Sequence, residues 1–487
     1  MMESKNDVDI LFVGNFSNQL NITINNIISS IPNGTTYTAL TYRKSSMDKF
    51  ESYEDFLAEY YEFIDLYNME DIEKEYLDVN LFLSVVSERF ISNYYSGIES
   101  TLGNKVLKYT EIMFFLKSYI LFLSPKIKNS KIIFTGYADN FISTLTYYLC
   151  KHYNKKCFSF LEISVINNNS NFIVEGIYGE PYNDLIINPE TKSCLELEEF
   201  MNKFDGEKDR KDRAKKNVTM KKGLWGVFSP NIFNIEYLKF AYFGYKVNEK
   251  LFKFMNIDKP DLRKKFIANI YRVVNKVVVS KYIKNFKFNI NENTKYIYFP
   301  LQVQPEASTS SRSPFYMNLM STIELISKSL PLGYKLIVKE HPLCIGMRSI
   351  SFYRRLKHFP NVEFINNEMT GKEIIKLSKL VISFGGTTLF ESINMGKKVL
   401  MLMPKYFYSD STLIFKVTNQ NDLYLDIVSA LKCFISKEEK EVEKEKMLNF
   451  FYQRGFPRFE NFEKNIAENL IKILRMENVN DQNSLSK

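Results

Sequence analysis

The sequence predicts an α/β fold with two domains, the second a doubly wound sheet. Three observations carry this. From Lys295 onward, short apolar runs alternate regularly with amphipathic helical patterns. The stretch KIIFTGYADNFISTLTYYLCKHYNKKCFSFLEI (131–163) reads as strand, helix, strand. And 487 residues, 45% hydrophobic and 25% charged, form a packed chain too long for a single core. Strands linked by crossover helices form parallel sheets.

Taken in order, DILFVG (9–14) is a buried strand ending at Gly14, and TYTALTYR (36–43) is a second. Helical patterns dominate from Tyr53 to Leu123. In the 131–163 unit the chain turns at Gly136, and Asp139 is the residue expected to cap the helix. A charged, basic stretch follows, DGEKDRKDRAKKNVTMKK (205–222), whose ordinary reading is a solvated loop and whose alternative is a membrane-surface or acidic-acceptor contact. LRKKFIANIYRVVNKVVVSKYIKN (262–285) is a long helix. Strands are then expected at 295–301, 334–339, 361–365, 379–383 and 398–403, with helices near 316–330, 349–358, 371–378 and 387–395. This is the rhythm of a doubly wound domain. ENFEKNIAENLIKILRM (460–476) is an amphipathic helix, and 477–487 reads as a disordered tail.

The net charge of +9 favours an anionic partner without choosing among nucleic acid, lipid surface and phosphorylated substrate. Aromatic content is high at 15%, yet no basic–aromatic motif is organised for base stacking, which argues against nucleic acid. Five cysteines without metal-ligand spacing, and an opening MMESKNDVD lacking a basic segment and an apolar core, predict a reducing, cytoplasmic setting. EIMFFLKSYILFLSP (111–125) is too short to span a bilayer and carries Lys117 midway, so it reads as a buried helix. Any membrane contact is expected to be peripheral, at the inner face.

Three strands end in polar chemistry. YIYFPLQVQPEASTS (296–310) passes from an apolar strand to Gln304, Glu306 and a hydroxyl run, Ser308 to Ser311, followed by Arg312. A carboxylate there suits a general base or a nucleophile toward an anomeric carbon. Its ordinary alternative is a helix-cap or salt-bridge carboxylate. KLIVKEHP (335–342) delivers Lys339, His341 and Pro342. An imidazole beside a phosphate donates a hydrogen bond and, when protonated, neutralises a leaving group; a lone histidine at a strand end is otherwise structural. His152 and His358 read as surface positions. VISFGGTTLFE (381–391) supplies Ser383, Gly385, Gly386, Thr387, Thr388 and Glu391. Its glycines permit a sharp turn and close ligand approach, Thr387 or Thr388 would cap the next helix, and that helix would offer N–H groups to a phosphate. The bland reading is a glycine turn with a threonine cap. Because ligands of open α/β sheets lie beyond the carboxyl ends of the strands, the three motifs should share one crevice.

Together, FPLQVQPEAST, GYKLIVKEHP, SFYRRLKHFPNVEFI and VISFGGTTLFESINMGKKVLML resemble the capsule polysaccharide biosynthesis family, which contains bacterial β-Kdo transferases. The resemblance covers about residues 290–405. It implies a GT-B-like fold, two Rossmann-like domains facing across a cleft, with an acceptor-binding domain over 1–288 and a nucleotide-sugar-binding domain over 289–455. The helix within 456–476 would pack back on the first domain. It further implies a glycosyltransferase with no cofactor and no metal, using a CMP-activated sugar as donor and a surface polysaccharide or glycolipid as acceptor. His341 and Pro342 match the family's His-Pro motif, expected at the donor phosphate. Gln304, Pro305 and Glu306 match its Gln-Pro-Glu motif, with the acidic residue near the anomeric carbon. Gly385 to Thr388 and Glu391 match the nucleotide loop and helix. Arg312, Lys339 and Arg348 are candidates for the carboxylate of an acidic keto-sugar. The alternatives are a polyol-phosphate transferase of teichoic-acid type using a CDP-activated donor, and a non-catalytic glycan-assembly protein on the same scaffold.

Overall fold

A computed structural model of the chain describes residues 8–14, 18–41, 50–66, 69–88, 109–137, 140–163, 171–182, 185–193, 196, 274–286, 288, 290–291, 293–365, 369–456 and 461–485. The basic stretch 205–222 lies outside them, as does the first part of the 262–285 helix, of which 274–284 is helical.

The architecture is α/β, with one Rossmann-like sheet in each half. The first sheet has the order β3-β2-β1-β4-β5-β6-β7. Its strands are β1 (Val8–Val13), β2 (Tyr37–Thr41), β3 (Phe50–Ser52), β4 (Ser130–Tyr137), β5 (Lys156–Glu162), β6 (Asn171–Glu175) and β7 (Glu180–Pro181). The pairs from β3 through β5 are parallel, and β6 and β7 add an antiparallel margin. The Phe141–His152 helix crosses from β4 to β5. Asn140 caps it, accepting from the Ser143 N–H at 3.1 Å, in place of the expected Asp139, which lies outside the described residues.

The second sheet has the order β10-β9-β8-β11-β12-β13, parallel throughout. It comprises β8 (Lys295–Pro300), β9 (Tyr334–Lys339), β10 (Val362–Ile365), β11 (Leu380–Ser383), β12 (Val399–Met401) and β13 (Ile414–Lys416). Central β8 and β11 are buried almost end to end, as strands covered by helices on both faces must be. The connecting helices start where the sequence can satisfy their free N–H groups. Asn318 caps Leu319–Lys328, and Thr370 with Glu373 forms a capping box on Gly371–Leu377. The chain runs outward from β8 to β9 and β10, then returns to β11 on the other side. The reversal of strand order therefore falls between β8 and β11, and a ligand crevice belongs there.

The two halves share packing. Phe172 of β6 lies 4.6 Å from Phe407 and 5.8 Å from Phe451, ring centre to ring centre, and Lys405 pairs with Glu180 at 2.7 Å. The C-terminal helix, Phe462–Leu485, buries Ile466, Ala467, Leu470 and Ile473 against Ile10, Phe12 and Leu20 of the first half. It continues through residues whose composition predicts a disordered tail, since helix is present as far as Leu485. The apolar 111–125 stretch belongs to the Tyr109–Lys128 helix and is largely buried. Among the described residues, no helix is long and apolar enough to cross a membrane.

Candidate active site

The three polar motifs follow three neighbouring strands. β8 sits between β9 and β11, with Pro300 beside Lys339 and Val381 beside Tyr298 in register. All three run the same way, so the loops bearing Glu306, His341 and Gly385 leave the same edge of the sheet.

A buried ion pair joins the first two loops. Arg348 Nη1 meets Glu340 Oε1 at 2.6 Å, and neither side chain is more than 3% exposed. Arg348 Nη2 donates to Gln302 O at 2.9 Å and to Gln304 Oε1 at 3.2 Å. Glu340 also accepts from the His341 N–H at 2.8 Å and from the Tyr353 hydroxyl at 2.7 Å. Burial alone would lower the Arg348 pKa, and the carboxylate beside it more than reverses that. The guanidinium thus fastens the Gln-Pro-Glu loop to the His-Pro loop. This corrects the expectation that Arg348 faces a ligand carboxylate. Gln304 is likewise buried, and its amide nitrogen donates to Met317 O at 2.6 Å. Beneath the pair, burial pushes the Cys344 thiol up to about 11, so at neutral pH it is no nucleophile.

Glu306 precedes a single helical turn, Ala307–Ser310, and has extended backbone. Its side chain reaches solvent, yet the surrounding protein makes a recess whose desolvation raises its pKa, against the Ser308 hydrogen bond and the Arg312 charge. Ser308 donates to its carboxylate at 3.0 Å. The rest of the hydroxyl run turns inward. Thr309 and Ser310 donate to Glu306 O, and Ser311 to Ala307 O. Back-bonding of this kind is how serine and threonine close a short turn, and it commits three of the four hydroxyls that sequence offers to phosphate or sugar. Arg312 reaches across to the other half, with Nε donating to Ile177 O at 2.7 Å.

The third motif is a glycine turn feeding the Gly386–Asn394 helix. Gly385, at φ 99°, takes the N-cap position and no side chain caps the helix there, so neither Thr387 nor Thr388 is the cap; both stand in the first turn. Buried Ser383 holds the turn instead, with its hydroxyl accepting from Gly385 N and donating to Gly385 O. A Cβ on Gly385 would meet Met403 Cε at 2.6 Å and the Tyr406 ring at 3.1 Å, whereas one on Gly386 (φ 69°) would meet nothing within 4 Å among the described residues. Gly385 is thus packed and Gly386 faces open space. Gly385→Ala is expected to destabilise the fold by about 1–3 kcal/mol, because only glycine adopts this backbone cheaply. A urea titration measures it; a change within ~0.5 kcal/mol, the ordinary range for a surface substitution, would contradict the packed turn.

Sequence reasoning missed Tyr406. Its side chain is buried, with ring atoms 3.1 and 3.2 Å from where a Cβ on Gly385 would stand. Its ring stacks on Phe390 at 5.9 Å. Tyr406 therefore walls the glycine turn on the side of Gly385. It also lines a groove of about 1100 Å³ where the halves meet, walled by Glu175, Glu180, Asp410, Glu445 and Arg454. Lys339 ends β9 half-buried, and Pro342 opens the short helical turn after His341. Glu391 is half-buried in the second turn of its helix. Of the remaining histidines, His358 is exposed, while His152 Nδ1 lies 2.7 Å from Asp78 Oδ1.

No curated protein matches the chain. Among solved structures, the β-Kdo 2,7 transferase KpsC of Thermosulfurimonas dismutans is 18% identical over 33% of this chain, with a TM-score of 0.23. The match takes in 53% of that transferase, about half its length. The wall teichoic acid polymerase TagF is 10% identical over 96% of this chain and 89% of its own, with a TM-score of 0.23. A UDP-GlcNAc 2-epimerase from Neisseria meningitidis is 12% identical over 96% of this chain and 100% of its own, also at 0.23. Likeness at that level carries nothing about chemistry. The family model described as capsule polysaccharide biosynthesis protein matches residues 221–421. Those residues, which hold all three strand-end motifs, carry the sequence pattern of the capsule polysaccharide biosynthesis family.

Proposed function

We propose that the protein is a glycosyltransferase that moves Kdo or a related acidic keto-sugar from a CMP-activated donor to a surface polysaccharide or glycolipid acceptor. The observation that supports this most is the placement of Glu306, His341 and the glycine turn on three adjacent parallel strand ends. The match of residues 221–421 to a capsule polysaccharide family is consistent with it.

In this reading the free N–H groups at the start of the Gly386–Asn394 helix, with the Thr387 and Thr388 hydroxyls, hold the donor phosphate. His341 donates to the phosphate as the bond from the anomeric carbon to its oxygen breaks and CMP leaves. With retention of configuration, the Glu306 carboxylate attacks the anomeric carbon and the acceptor hydroxyl then displaces it; with inversion, Glu306 takes the proton of the acceptor hydroxyl. Retention is the outcome we propose, without a metal. Arg312 and Lys339 offer positive charge to the donor's own carboxylate. The acceptor approaches from the first half, and the protein works in the cytoplasm, in peripheral contact with the inner membrane face.

Glu306 must be ionised in either role, and its recess raises its pKa. Activity should therefore fall with decreasing pH along a limb lying above the ordinary carboxylate range. A pH profile of kcat/KM checks this; a limb at or below the ordinary glutamate value would contradict the recess.

A thermal-shift titration with CMP, CDP, UDP and GDP, followed by incubation with CMP-Kdo, tests the donor. Stabilisation by CMP and release of CMP from the donor are expected. A response to uridine or guanosine diphosphate alone would overturn the reading, and turnover of a CDP-polyol instead would establish the polyol-phosphate alternative.

A further inference from the structure

We propose that the 274–284 helix and the Ile350–Leu356 helix together form a docking face for an anionic lipid bilayer. This deepens the peripheral membrane contact of the transferase reading, and rests on that reading only for the reason a bilayer is there. The two helices are neighbours. Asn275 Nδ2 donates to Gly346 O at 2.7 Å and to Arg348 O at 3.1 Å, and Lys357 Nζ lies 4.5 Å from the Phe286 ring centre. On the first helix, Val274, Val278, Lys281 and Lys284 are exposed at the spacing of one helix face. On the second, Arg354 and Arg355 are exposed, and so are Lys357 and His358 just after it.

Neither 274–288 nor 341–362 contains an Asp or Glu. Two carboxylates of the adjoining elements are engaged, Glu324 by Lys328 and Glu363 by Lys335, each at 2.7 Å. Among the described residues, no carboxylate lies within ion-pair distance of Lys281, Lys284, Arg354 or Lys357. A positive face alone suits any polyanion. The exposed valines select the bilayer: Val274 is 45% and Val278 42% exposed. Apolar surface beside lysines on one helix face is the composition of a helix lying in a headgroup layer, where the valines meet the acyl boundary and the cations meet phosphate. The face also abuts the loop that follows His341, because Asn275 holds the carbonyls of Gly346 and Arg348. Docking there would bring a membrane-borne acceptor to the rim of the proposed site.

Sedimentation of the full chain with lipid vesicles tests this. Wild type should bind vesicles of phosphatidylcholine mixed with phosphatidylglycerol and not phosphatidylcholine alone, and the binding should weaken as salt is raised. A quadruple variant, Lys281→Gln, Lys284→Gln, Arg354→Gln and Arg355→Gln, should lower that affinity about tenfold or more, because each cation near an anionic surface contributes. Its melting midpoint and CMP affinity should stay at the wild-type values. Val274→Ser with Val278→Ser should lower vesicle affinity about threefold, through lost apolar burial, while binding to heparin stays unchanged. Wild-type vesicle binding by the quadruple variant would overturn the proposal. So would a valine variant that binds vesicles as wild type does, which would assign the face to a soluble polyanion instead. Failure of the wild-type protein to bind CMP would refute the donor assignment, and the vesicle result would still decide whether this face docks on a bilayer.

Discussion

Glu306→Gln is expected to lower transfer by about 10²–10⁴-fold, the range that a positioned acid–base group contributes, while CMP binding stays within twofold of wild type. The substitution preserves volume and leaves an oxygen for the Ser308 hydroxyl, which donates to the native carboxylate at 3.0 Å. It removes the charge needed to attack an anomeric carbon or accept a proton. Nothing that we assign to the phosphate changes, because the glycine turn and its helix follow a different strand. Steady-state transfer and a CMP titration on the same preparation give both numbers. Wild-type turnover would remove Glu306 from the chemistry; lost turnover together with lost CMP binding would make its role structural.

The second large effect is on stability. Arg348→Leu should destabilise the protein by about 3–5 kcal/mol, because it leaves a buried carboxylate without its counter-charge. Among the described residues, Glu340 would keep only the His341 N–H and the Tyr353 hydroxyl. The loop at 302–304 would also lose a link to the loop at 340–348, since Arg348 holds Gln302 O, Gln304 Oε1 and Glu340 Oε1 together. Replacing both charges, as in Glu340→Gln with Arg348→Met, should recover part of the loss, since the desolvation of both ions is removed too. Urea unfolding of the two variants decides this. A single variant costing less than about 1 kcal/mol would mean a solvated pair of the kind common at surfaces.

How much could be read from the residues depended on how local the signal was. The central strands β8, β9 and β11 were legible because a strand covered on both faces is an unbroken apolar run, as in YIYF and VISF. Marginal strands such as Phe50–Ser52, Asn171–Glu175 and Ile414–Lys416 were not, being only three to five residues long, too short for a hydrophobic period to show. The placement of Glu306 and the glycine turn at the reversal of strand order follows from the alternation of elements, which is itself a sequence property.

What failed were several readings that depend on which way a polar side chain turns. Arg348 reads as a ligand clamp from its charge, but burial beside Glu340 makes it a fastener. Thr309, Ser310 and Ser311 read as ligand hydroxyls, yet a hydroxyl three or four residues beyond a carbonyl bonds to it as readily as to a phosphate. Thr387 and Thr388 read as caps, whereas Ser383 holds the turn from the strand side. Tyr406 could not be found at all. MPKYFYSD is an aromatic stretch after β12, and only the folded chain brings the Tyr406 ring against Gly385.

The most direct measurement is hydrogen–deuterium exchange of the full chain with and without saturating CMP. We expect simultaneous protection in peptides covering 302–312, 340–348 and 384–391, because one ligand would touch loops from three adjacent strands. Protection confined to one of these loops, or placed elsewhere in the chain, would contradict a common nucleotide site and the transferase built upon it.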